Sequence, residues 1–133
     1  MDIYNASLGE NQPEEIELSL EQYEEAKKHY TSIIERGEAA RRLTENPDFK
    51  MLIMEGYLTS EPMRLAELMA SGRLNSTTME NCKNEISAIG SFRNFMKLHI
   101  EQGNLAKESL VDLEEARDEA IAAEARAVEA KNQ

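Results

Sequence analysis

From Thr77 to Gln133 the chain contains no proline, and apolar or small residues recur along that run at spacings of three and four. The seam is Met79, Cys82, Ile86, Ile89, Met96, Ile100, Gly103, Ala106, Leu110 and Leu113. Such spacing marks one face of a helix that packs along its length. Thr77 opens a capping-box pattern with Glu80 three residues on. One helix from about 77 to 130 is therefore expected, roughly 80 Å long at about 1.5 Å per residue. The alternative is a break at Gln102-Gly103-Asn104, with Asn104 capping a new helix. Around Phe92 and Phe95 the apolar arc widens, as it does where other helices surround a rod.

A second seam lies upstream. Ser19 and Gln22 form another capping-box pattern, and Tyr23, Ala26, Tyr30, Ile33, Gly37 and Ala40 keep three/four spacing. This predicts a helix over about 20–44. Gly37 on the seam is either a point of close backbone approach or a tolerated glycine costing about 1 kcal/mol.

Between the two seams the chain is heavily punctuated. Asn46 precedes Pro47, the order of N-cap and first helical residue, and Asp48 suits the positive end of the helix dipole. Phe49, Leu52 and Ile53 form an apolar face, and Gly56 is placed to end it. Thr59 or Ser60 caps again, Pro62 follows, Leu65, Leu68 and Met69 make the next face, and Gly72 stops it. The expectation is two short helices, about 47–56 and 61–71, joined at the Gly56-Tyr57 turn. Short helices are marginal alone, so this segment must bracket the long helices or meet a partner. Its expected interface residues are Phe49, Leu52, Ile53, Met54, Tyr57, Met63, Leu65, Leu68 and Met69.

The fold class is thus all-α: two long helices bracketed by two short ones. Three regions are expected: a flexible arm over 1–18, a helical core over 19–113, and an Ala/Glu-rich helical tail over 114–133. The tail has few large apolar residues. It either projects into solvent or packs through Ala116, Ala120, Ala123 and Ala127 in a coiled coil with its own copies.

The chain has 26 acidic against 15 basic residues and a net charge of −11. That balance disfavours direct nucleic-acid binding, which depends on neutralising phosphates, and disfavours anionic lipid surfaces. Cys82 is the sole cysteine, so no internal disulfide forms, and its place on the seam suits a core residue. Glu25 and His29 have i, i+4 spacing, but His29 and His99 lack the Glu-x-x-His pattern of carboxylate-bridged metal sites. No phosphate-binding glycine loop is present. No catalytic, metal-binding or cofactor-binding residue is assigned, and an enzyme is not expected. The N-terminal stretch lacks the charged and apolar regions of a secretory signal, so synthesis in a cytoplasm is expected.

The stretches "LTENPDFKMLIMEGYLTSEPMRLAELM" and "ISAIGSFRNFMKLHIEQGNLA", with the Ala/Glu-rich end, resemble small helical virion proteins of podovirus-type tailed bacteriophages, including those carrying a virion RNA polymerase. The resemblance covers about residues 20–125 and rests on a pattern without a catalytic motif. It implies a non-enzymatic, acidic, homo-oligomeric structural or ejection protein. Such a protein contacts other virion proteins, resides in the virion, and meets the host cell envelope if it is ejected to help form a genome-delivery conduit. The alternative expectation is a soluble helical adaptor, regulator or assembly protein that binds one partner through residues 46–72.

Overall fold

The computed structural model describes residues 19–132, which are helical almost throughout and contain no strand. Helix α1 is Leu20–Glu45, α2 is Pro47–Phe49, a π-helix follows at Lys50–Ser60, α3 is Glu61–Ala70 and α4 is Ser76–Lys131. Because α2, the π-helix and α3 follow one another without a gap, they form a single middle helix over 47–70. The expected arm over 1–18 lies outside the described residues.

The helix ends follow local chemistry. Ser19 Oγ accepts from the Gln22 N–H at 3.1 Å, and Gln22 Oε1 accepts from the Ser19 N–H at 3.2 Å, a complete capping box. Asn46 Oδ1 accepts from the Phe49 N–H at 2.9 Å, capping the middle helix. The third cap departs from expectation. Asn75 Oδ1 accepts from the Thr78 N–H at 2.8 Å, so α4 begins at Ser76 and Asn75, rather than Thr77, is the capping residue. Asparagine is among the best capping side chains, and it comes first along the chain. Gly72 stops α3 as expected: its φ is +74°, a conformation glycine adopts without steric cost.

Two further expectations are corrected. Gly56 is not a stop and Ser60 is not a cap. The Gly56 carbonyl accepts from the Glu61 N–H five residues on, and Ser60 has helical φ and ψ of −69° and −38° with no side-chain cap. The chain passes this point by widening its helix instead of turning. At Gly103 α4 runs on unbroken, as the single-helix reading expects.

The described residues belong to two compact units, one of residues 33–105 and the other of residues up to 32 together with those from 106 onward. The division thus falls within α1 and α4. In the 33–105 unit the middle helix packs on the first half of α4. Leu58, Leu65, Cys82 and Ile89 form the buried centre, with Ile53, Met54, Tyr57, Met69, Leu74 and Ile86 packed against them. Leu65 and Ile89 are each 2% exposed; burying such a side chain is worth about 1.5–3 kcal/mol. In the same unit α1 crosses α4 at Gly37 and Gly103. A Cβ added to Gly37 would lie 2.8 Å from the His99 carbonyl oxygen and 2.9 Å from Gly103 Cα, so the backbones are in contact. Gly37 is therefore a point of close approach.

In the other unit the start of α1 meets the second half of α4. Tyr23 is buried, and its hydroxyl donates to Glu114 at 2.7 Å. Lys27 lies 3.7 Å from the same carboxylate, while Lys27 and Arg117 sit 5.7 and 5.5 Å from the Tyr23 ring. The hydrogen bond to Glu114 raises the Tyr23 pKa, with burial adding to it, and the tyrosine and Glu114 raise that of Lys27.

Candidate partner-binding surface

The middle helix positions the nine residues expected to meet a partner, and its π register decides which of them can. In a π-helix each N–H bonds the carbonyl five residues back, so inward positions recur at spacings of four and five. Phe49, Ile53, Met54, Tyr57 and Leu58 follow that spacing and face the chain's own unit, all half-buried except the buried Leu58. Leu52, expected on the same face as Phe49 and Ile53, is 66% exposed. In the π register Leu52 falls outside the four- and five-residue spacing that brings Phe49, Ile53 and Leu58 to one side.

Leu65 belongs to the chain's own core, where it is almost fully buried. Ile53, Met54, Tyr57 and Met69 are packed against that core. Phe49 is half-buried at a groove it shares with Thr44, Met54, Leu58 and Met96. The residues of the expected set that stand open are Leu52, Met63 and Leu68, and Met51 joins them at 62% exposure.

The wide register ends where Pro62 enters the helix. Pro62 has no N–H, so it cannot donate to the Leu58 carbonyl one turn back. Arg93, from α4, donates a guanidinium N–H to that oxygen instead. Thr59 Oγ1 donates to the Met54 carbonyl at 2.9 Å, five residues back. Tyr57 packs edge-to-face on Phe92, with ring centroids 6.2 Å apart, which ties the same segment to α4. At the start of α3 Arg64 pairs with Glu61, and this holds the Glu61 carboxyl below the usual carboxylate range.

A second apolar surface was not foreseen. Ala39, Ala40 and Leu43 of α1 with Phe95 and Met96 of α4 line a groove of about 240 Å³, and Arg36 and His99 complete its lining. Its traces in the sequence are the widening arc at Phe95 and the seam positions of Ala40 and Met96. Leu43 is 46% exposed and Phe95 58%. The His99 ring lies against Phe95 with centroids 4.4 Å apart, and His29 against Tyr30 at 5.5 Å. Among the described residues no group of three or more His, Cys, Asp or Glu is placed to hold a metal ion. Cys82 is buried in the core of its unit. No described helix is long and apolar enough to cross a membrane.

No protein-family model, curated protein or solved structure matches the chain.

Proposed function

We propose that the chain is a non-enzymatic, homo-oligomeric structural protein of a tailed-phage particle, of the internal kind that is ejected with the genome to help build a conduit in the host envelope. The observation that carries the oligomeric part is the distribution of apolar side chains. Seven hydrophobic residues are buried among the described residues, while thirteen large ones are exposed. Single exposed apolar residues are ordinary, but Leu43 and Phe95 stand together at one groove, and Met51 and Leu52 are neighbours on the middle helix. Grouped apolar surface marks contacts with other proteins, and repeated copies of one chain supply such contacts symmetrically. The phage part rests on the resemblance of residues 20–125. The net charge of −11 suits a protein that must not adhere to the DNA it accompanies.

Peptide mass fingerprinting of purified particles, before and after genome release, tests the virion assignment. The chain is expected in intact particles and depleted from emptied ones. Its absence from intact particles rules this function out. A second reading, an adaptor that binds one partner through residues 46–72, is favoured by the exposed Met51 and Met63, since flexible thioethers suit adaptable contacts. Gene neighbourhood separates the two: portal, capsid and tail genes accompany a virion protein.

A further inference from the structure

Among the described residues two apolar surfaces stand exposed, and their charges are complementary. The first is the groove in the 33–105 unit. Ala39 and Ala40 make a floor without bulk, Leu43 and Phe95 stand open beside it, and its charged or titratable lining groups are Arg36 and His99. Among the described residues no carboxylate lines it. The neighbouring groove at Phe49 and Met54 is different. It includes Glu101, which pairs with Lys97, and its Arg93 is engaged with the Leu58 carbonyl.

The second surface is on the last part of α4. Ile121 and Val128 are 48% and 54% exposed, and Ala125 lies between them. These positions are i, i+4 and i+7 on a helix, the spacing by which an amphipathic helix enters an apolar groove. Glu124 and Glu129 border the stripe. An acidic apolar stripe and a carboxylate-free apolar groove edged by Arg36 suit each other in charge and in apolar character. Pairing two such grooves across a two-fold axis would bring cationic edges together and leave the stripe in water.

We propose that the Ala39–Phe95 groove of one copy takes the Ile121–Val128 stripe of a second copy, so that copies join head to tail. The proposal rests on the homo-oligomeric reading above and specifies its contact. A head-to-tail contact uses different surfaces on the two copies, and repeats into a ring or a filament.

The test uses full-length chains and sedimentation velocity at high micromolar concentration, with circular dichroism to verify helicity. One variant carries Ile121→Glu and Val128→Glu; the other carries Phe95→Glu. All three sites are exposed. Each variant alone should sediment as a monomer. Mixed in equal amounts they should form a dimer and nothing larger, because one intact groove remains for one intact stripe. If Phe95→Glu perturbs folding, Arg36→Glu replaces it, and rescue by Glu124→Arg with Glu129→Arg is the expected result. Variants that keep the wild-type assembly size, or a mixture that stays monomeric, overturn the head-to-tail contact while leaving the oligomeric reading in place. A monomeric wild-type chain overturns both.

Discussion

Gly37, Gly90 and Gly103 all sit inside helices, where glycine costs about 1 kcal/mol relative to alanine, yet only two of them are fixed by their surroundings. A Cβ on Gly37 or Gly103 would meet backbone at 3.0 Å or less, whereas nothing lies within 4 Å of one added to Gly90. Backbone cannot swing aside as a side chain can, and overpacking typically costs about 1–3 kcal/mol, which exceeds the gain in propensity. Gly37→Ala and Gly103→Ala should therefore lower the melting temperature, and Gly90→Ala should raise it. Equal stabilisation by all three would refute the close crossing. Leu65→Ala should cost about 2–5 kcal/mol in chemical denaturation, as expected for a fully buried leucine. Phe49→Ala should cost less than the roughly 3–5 kcal/mol of a buried ring, because Phe49 is half-buried. Asn46 and Ser19 were legible as caps because their bonds reach only three residues along the chain. The match of Gly37 to Gly103 was not, since each glycine sits on its own seam and nothing local ties one to the other.

At the scale of elements, the long helices were legible and the middle one was not. Three/four spacing over 23–40 and 79–113 needs only the sequence, and α1 and α4 end within about two residues of the expected bounds. The register of the middle helix depends on what α4 offers it. Leu58 is buried with Leu65, Cys82 and Ile89, and the π register brings Phe49, Ile53 and Met54 to the same side as Leu58. The groove at Ala39 and Leu43 was missed because it needs α1 and α4 together. Arg93→Ala should leave the Leu58 carbonyl without its donor and destabilise the 33–105 unit by roughly 1 kcal/mol; a melting curve unchanged from wild type would remove this link from the account. In the other unit, Tyr23 and Lys27 both have raised pKa values. A folded-state pKa above the unfolded one gives stability that is complete below the unfolded value and declines as pH rises through the folded one. Stability should thus fall above about pH 10, the ordinary tyrosine value. Tyr23→Phe should flatten that decline, as read from thermal melts between pH 8 and 11.

Over the whole molecule the charge is uneven. Residues 33–105 hold nine basic and ten acidic side chains, whereas the described residues of the other unit hold six and eleven. Most of the acidity therefore lies outside the unit that carries the grooves and the larger core. Ending the chain after Leu113 removes Glu114 and Arg117, the partners of Tyr23, but no member of the Leu58–Ile89 core. The truncated chain should keep the main melting transition of the 33–105 unit and lose the alkaline sensitivity. On the proposed reading, the exposed apolar groups serve contacts between copies. Native mass measurement of the full-length chain from low to high micromolar concentration tests it most directly. A defined multiple of the 15.1 kDa chain mass that dissociates on dilution is expected; a monodisperse, fully helical monomer at the highest concentration would rule out contacts between copies.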